Sequence, residues 1–356
     1  MAAYTTIDDP SAHFQVGLLT GNAGLISLTN DGNSDLKPDM VWHKERGGTQ
    51  PHTIRDTSRG IDKFVYLLSN VEGTNSYFTS FNTDGYTINS TDNEVNGSGD
   101  TYASWQWVAN EGTRTTFTES GNNPAGGYQV NTTAGFSIID YTGTGAAGTI
   151  AHGLGKKPEF WTVKRRSAET WHWYTYHGSN TSAPETENLY LTNTDPTADM
   201  DTVWNDTAPT SSVFTVGTNG GVNDDADTYV CYMWTSIQGY SKFGVYEGNG
   251  SANGPFIYTG FKPAWTLIKC TSNSGEAWAI HDIDRSPVNP MDDVLFASNS
   301  NAESANETDR AMDFVSNGIK VRATDSGQNT DGRTYIYAAF AHQPFVTSGG
   351  VPCTAR

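Results

Sequence analysis

The chain has 356 residues, of which 36% are hydrophobic and 17% charged, with a formal net charge of −18. So acidic a surface repels phosphate backbones and argues against nucleic-acid binding, while an aromatic content of 12% argues against disorder. No stretch approaches the roughly 18 apolar residues of a membrane span, and no basic segment leads into an apolar run at the N-terminus; neither membrane insertion nor a secretory leader is expected.

Abundant Gly, Thr, Ser, Asn and Asp beside β-branched and aromatic residues predict many short strands joined by tight turns. In chain order, the first predicted unit spans residues 1–110. It opens on the alternating strand Phe14–Leu18 and turns at Thr20-Gly21-Asn22. A strand headed by Lys37-Pro38 follows, then Thr53–Asp56 and Phe64–Leu68, the latter ending in Ser69-Asn70. Asp84-Gly85 predicts a hairpin between Phe78–Phe81 and Tyr86–Ile88, and Thr101–Trp107 closes the unit. Residues 111–134 are rich in Gly, Thr and Asn and are expected to form a linker without a core strand.

The same order recurs twice. Residues 135–238 carry Phe136–Tyr141, a Lys157-Pro158 strand, Trp171–His177, Leu189–Asn193, Val213–Val216 and Asp227–Trp234. Residues 239–341 carry Phe243–Tyr246, a Lys262-Pro263 strand, Trp278–His281, Val294–Asn299, a hairpin about Asn317-Gly318 and Thr334–Phe340. A short tail, residues 342–356, follows. Each Lys-Pro strand ends in another Lys (Lys44, Lys164, Lys269), and Pro suits a strand start because it has no amide hydrogen for the ladder. Pro-to-Tyr separations are 64, 71 and 72 residues (Pro38 to Tyr102, Pro158 to Tyr229, Pro263 to Tyr335). Landmarks kept in order over that distance indicate internal duplication. With no sustained helical period, the expected fold is all-β: three tandem related β-sandwich (jelly-roll-like) modules of about 100 residues each.

Catalytic and metal chemistry find little footing. His52, Asp56 and Ser58 lie close in sequence, but triads are recognised by spatial geometry. The acids fall mostly in polar loops, and Asn223–Asp227 lacks the spacing of a calcium loop. Cys231, Cys270 and Cys353 show no ligand spacing, and the first two lie in apolar strand patterns that predict buried thiols. No catalytic residue, metal site or cofactor is expected. The unusual cluster is Trp171, His172, Trp173, Tyr174, Tyr176 and His177. On a strand, Trp171, Trp173 and His177 would share one face and His172, Tyr174 and Tyr176 the other. Aromatics on both faces suit carbohydrate stacking, a protein interface, or burial between modules.

The text MAAYTTIDDPSAHFQVGLLTGN, Asp56-Thr57-Ser58-Arg59-Gly60, Phe81–Thr87, Thr132–Ile138 and the run from Tyr141 to Gly155 resembles a repeat family of marine bacteriophage virion structural, tail-fibre-like proteins. The second and third units depart from it at Asp-x-Ser-Arg-Gly, with His281–Arg285 a partial echo. The resemblance implies a non-enzymatic virion protein assembled in the host cytoplasm, a tail-fibre or host-recognition component. The alternatives are a capsid decoration or head-fibre protein and a polysaccharide-acting enzyme. It further implies other virion proteins as partners, a homo-oligomer such as a trimer, and a host-surface glycan as ligand.

Overall fold

The structure is a computed structural model that describes residues 3–68, 71–167 and 171–354. The landmark Ser69-Asn70 lies outside the described residues. The chain is all-β and its sheets are antiparallel.

The first third of the chain forms β1 (Phe14–Thr20), β2 (Leu25–Leu28), β3 (Met40–Glu45), β4 (Thr53–Asp56), β5 (Lys63–Tyr66), β6 (Gly73–Thr74), β7 (Phe78–Phe81), β8 (Tyr86–Asn89) and β9 (Thr101–Trp107). The middle third forms β10 (Thr115–Phe117), β11 (Ala125–Asn131), β12 (Phe136–Thr142), β13 (Gly148–Ala151), β14 (Phe160–Arg165), β15 (Tyr174–His177), β16 (Glu187–Tyr190), β17 (Ala198–Asp199), β18 (Val213–Val216) and β19 (Thr228–Trp234), with one-turn helices α1 (Asp201–Trp204) and α2 (Gly220–Asn223). The last third forms β20 (Ser241–Glu247), β21 (Phe256–Tyr258), β22 (Phe261–Cys270), β23 (Ala279–Asp282), β24 (Leu295–Phe296), β25 (Met312–Val315), β26 (Gly318–Val321) and β27 (Thr334–Pro344).

Three large sheets result. Their strand orders are β1-β9-β3-β4-β5-β6, β10-β11-β12-β19-β14-β15-β16-β17 and β20-β27-β22-β23-β24. Within each, the closing strand of its stretch (β9, β19, β27) lies between the opening strand and the Lys-Pro strand. Each large sheet is accompanied by a small one: β2-β8-β7, β13-β18 and β21-β26-β25.

The closing strands explain how the sheets are layered. Strand alternation sends successive side chains to opposite faces. Tyr102 of β9, Tyr229, Cys231 and Met233 of β19, and Tyr335, Tyr337 and Ala339 of β27 each enter a core local to their own stretch. The other face carries Ala103, Trp105 and Trp107, then Val230, Tyr232 and Trp234, then Ile336, Ala338 and Phe340, all in one common core. The large sheets are thus covered on both faces, which is why these strands read as nearly unbroken apolar runs. At the centre, Trp107, Trp234 and Phe340 meet pairwise, with ring centroids 5.9, 5.5 and 6.4 Å apart. They border an apolar void of about 20 Å³, whose lining lacks the polar partners that an ordered water needs.

Two expectations change. Residues 111–134 are not a bare linker, since β10 and β11 lie there and extend the second sheet beyond β12. The third Lys-Pro strand also starts early: β22 begins at Phe261 and absorbs Pro263 at a register shift, a place where a missing amide hydrogen is tolerated. The tail turns back on the N-terminal segment, where the Ser348 amide donates to Asp8 Oδ1 at 2.6 Å.

Candidate functional site

Placement of the aromatic run decides its role. Trp173, Tyr174, Tyr176 and His177 are buried, and Trp171 and His172 are half-buried. β15 begins only at Tyr174, so the expected alternation from Trp171 is incomplete. Trp173 enters the common core, whereas Tyr174 and Tyr176 enter the local core of the second sheet. Tyr176 stacks on Trp161 at 3.7 Å, Trp171 lies over the Arg165 guanidinium at 5.3 Å, and His172 bonds Thr192 Oγ1 at 2.8 Å. Of the three uses open to the run, carbohydrate stacking, a protein interface and burial, these placements are packing, because a large sheet covered on both sides needs aromatics on both of its faces.

Trp173 belongs to a ring of contacts between sheets. Its indole donates to the Tyr66 carbonyl of the first sheet at 2.8 Å. Trp278 donates to Tyr190 O of the second sheet at 2.8 Å. His52 Nε2 lies 3.0 Å from Phe296 O of the third sheet. His52, Trp173 and Trp278 each immediately precede β4, β15 or β23, and each acceptor is the last residue of β5, β16 or β24. Trp42 Nε1 donates to His52 Nδ1 at 2.9 Å, so the His52 proton sits on Nε2 and is donated to Phe296. Burial holds the His52 imidazole well below its ordinary pKa, and the Lys44 charge adds to this.

Ionic clamps lie beside two of these contacts. Arg59 bonds Asp56 Oδ2 at 2.6 Å, the Ile54 carbonyl at 3.1 Å and Glu72 at 3.0 Å. Arg285 bonds Asp282 Oδ2 at 2.6 Å, the Ile280 carbonyl at 2.9 Å and Glu303 at 2.9 Å. The partial echo in sequence is therefore a full repeat in geometry. Each clamp reaches a neighbouring sheet. Glu72 accepts from Arg166 at 2.7 Å and Asp56 from the Tyr232 hydroxyl at 2.6 Å. Likewise Glu303 accepts from Arg46 at 2.6 Å and Asp282 from the Trp105 indole at 3.0 Å. Burial pushes the Glu72 carboxyl up, but the Arg166 hydrogen bond and the Arg59 charge overcome it and leave it below its ordinary pKa.

At the junction of second and third sheets neutral groups take these places. His177 Nε2 faces Tyr337 O at 3.1 Å, and Thr197 donates to Asn180 Oδ1 at 2.7 Å. Main-chain bonds run alongside all three contacts: Glu72 N to Arg166 O at 3.0 Å, Glu303 N to Arg46 O at 2.7 Å, and Thr197 N to Thr271 O at 2.9 Å.

A second repeated device locks the loop before each closing strand. The hydroxyls of Tyr102, Tyr229 and Tyr335 donate to Asn93 O, Gly220 O and Ser326 O, and accept from the amides of Gly97, Asp224 and Thr330. Six residues earlier sit Asn96, Asn223 and Asn329, all fully buried. Each side-chain amide donates to two main-chain carbonyls and each side-chain oxygen accepts a third bond, as from Asn22 N, Thr144 N and Asn249 N at 2.9 Å. The Asn-x5-Tyr spacing stands in the sequence four times, once more at Asn122 and Tyr128 outside these loops, and only the Tyr of each closing strand was singled out there.

The remaining sequence candidates are spent on structure. Asp56 holds Arg59, His52 holds Trp42, and Ser58 accepts from Gln129 at 2.5 Å, so the three form no nucleophile–base chain. In the acidic loop, Asn223 is the plug just described and Asp224 and Asp227 pair with Arg165. Among the described residues no group of three or more His, Cys, Asp or Glu could hold a metal ion. Cys231 and Cys270 are buried thiols, and Cys353 is half-buried. The repeated lysines Lys44, Lys164 and Lys269 are buried, each donating at 2.5 Å to a carbonyl, of Glu45, Trp171 and Glu276. Burial lowers the pKa of each to about 8.

No curated protein matches the chain. A family model described as a domain of unknown function, DUF7483, matches residues 9–344, from the short turn before β1 to the last residue of β27. All three large sheets fall inside that single match, and the chain belongs to the DUF7483 family.

Proposed function

We propose that the chain is built of three related β-sandwich modules closed into a ring, and that it serves as a non-enzymatic structural protein on the surface of a phage particle, as a tail-fibre or host-recognition component. The observation that carries this reading is the inward use of chemistry. Buried groups that could have formed a reactive site, among them Asp56, Asp282, His52 and the Trp173 and Trp278 indoles, are instead bonded between sheets. What remains for the outside is loops and strand edges, which suit recognition. The phage assignment rests on the sequence resemblance.

A second reading, capsid decoration, is favoured by the cyclic run of contacts from His52, Trp173 and Trp278. They give one chain an approximate threefold arrangement, which suits a position where three shell subunits meet. The test is to locate the protein by imaging the intact particle, and to assay purified protein on host cells, host glycans and empty capsids. Binding to cells or glycans supports the recognition reading. Binding to empty capsids alone replaces it with decoration, and degradation of host polysaccharide overturns both.

A further inference from the structure

Among the described residues two aromatic side chains are exposed, and they stand two residues apart. Phe256 is 50% exposed and Tyr258 48%. Both belong to β21, the outer strand of the small sheet β21-β26-β25. Strand alternation separates them from Ile257, which enters the local core, and turns both rings to the outer face of the sheet. The architecture does not ask for them there. On β2 and β13, the first strands of the other two small sheets, Ile26, Leu28 and Ile150 turn inward. The outward positions hold Leu25 and Ser27, and Thr149 and Ala151.

Both rings are held in place. Register sets Phe256 opposite Lys320 and Tyr258 opposite Gly318. Phe256 lies against Gly318, where a Cβ would come within 3.0 Å of the ring. The Tyr258 hydroxyl lies 3.1 Å from that of Tyr4, which donates to Gly260 O at 2.8 Å. Lys242 Nζ sits 5.3 Å from the Tyr258 ring centroid and donates to Tyr258 O at 2.6 Å. Rings fixed in this way lose little side-chain entropy when a ligand covers them. The charge beside them runs against that of the molecule, which is −18 overall. Lys242, Lys320 and Arg322 stand at this face. Asp313 is opposite Lys320 and bonds Arg322 at 2.7 Å, and Glu159 acts on the Lys242 charge. Three cations against these two acids leave a positive surplus.

We propose that Phe256 and Tyr258 form a stacking platform for an anionic glycan, with Lys320 and Lys242 meeting its carboxylate or sulfate groups. Alternate residues of a strand lie about 6–7 Å apart, so the two rings take sugars of one oligosaccharide. The apolar faces of the sugars supply contact with the rings, and the cations select for negative charge. The cores of protein interfaces are depleted in charge. Here a lysine stands directly beside each ring, which favours a glycan over a protein partner. The proposal gives the host-recognition reading a site and rests on that reading for the source of the glycan.

The probes are tetrasaccharides, neutral (maltotetraose, cellotetraose) and anionic (tetragalacturonate, a sulfated chondroitin tetramer), arrayed and bound by the labelled full chain. Binding to anionic members over neutral ones is expected. Phe256→Ala should weaken it about tenfold, and Lys320→Gln should narrow the preference for anionic members, both with the unfolding midpoint of the unsubstituted chain. Absence of binding to every anionic member would overturn the proposal, as would binding that Phe256→Ala leaves intact. Self-association in sedimentation velocity that Phe256→Ala abolishes, without glycan binding, would assign the face to a second copy and overturn it as well. Array binding without binding to host cells sinks the host-recognition reading and leaves the site standing. Host-cell binding that survives Phe256→Ala and Tyr258→Ala together does the reverse.

Discussion

Asn223 shows how much one buried side chain can carry. It satisfies the carbonyls of Ala146 and Gly217 and the amide of Thr144, and the bond to Gly217 is fully buried. Asn223→Ala leaves them unpaired and should cost about 2–3 kcal/mol in denaturant unfolding; Asn223→Asp should cost at least as much, since a carboxylate cannot donate to the two carbonyls. The histidines make a pH prediction. Burial lowers His177 to about 4, against a smaller opposing effect of its bond to Tyr337 O. Burial with the Arg285 charge takes His281 to about 3. Their folded pKa lies below the unfolded value near 6.5, so the unfolded chain binds more protons between those values. Their stabilising contribution is complete above pH 6.5 and is lost as pH falls toward 4. Denaturation midpoints measured across that window should fall, and His177→Gln should flatten the slope.

Among elements, the clamp after β4 is the one to break. Arg59 and Asp56 are both fully buried, so Arg59→Met strands a carboxylate and should cost about 3–5 kcal/mol. Asp56→Asn in the same chain should recover part of that loss, which a double-mutant cycle measures. The Asp-x-x-Arg spacing was legible in sequence as an echo, but its meaning was not. Glu72 and Glu303, and the Arg166 and Arg46 they reach, lie far away along the chain or on another sheet. The strands themselves were legible through alternation and turn residues, as at Asp84-Gly85, where Gly85 adopts φ +82°. β11 was not, because Ala125-Gly126-Gly127 shows no apolar alternation. Its glycines answer to a neighbour instead: a Cβ on Gly126 would lie 2.2 Å from Asp140 O. The aromatic run was legible as having two apolar faces, but what covered one of them, Tyr66 over Trp173 and Tyr337 at His177, lay more than a hundred residues away.

At the scale of the molecule, the common core ties the stability of every sheet to the others. Trp107 contacts Trp234, Trp265 and Phe340, so Trp107→Ala should cost about 3–5 kcal/mol. It should lower one shared transition, seen at the same midpoint by tryptophan fluorescence and far-UV circular dichroism. Residues 239–341 alone should fail to unfold cooperatively, because the inner faces of β22 and β27 would be bare.

The same core sets an order of events during synthesis. The first sheet can pair its strands as soon as β9 has been made, yet Trp42 and Trp105 gain Trp265, and Trp107 gains Phe340, only when those residues leave the ribosome. At ordinary elongation rates that wait is roughly 10–50 s. For that interval the nascent chain presents a broad indole-rich face to the cell, a natural point of capture by chaperones and of aggregation when synthesis stalls before β27.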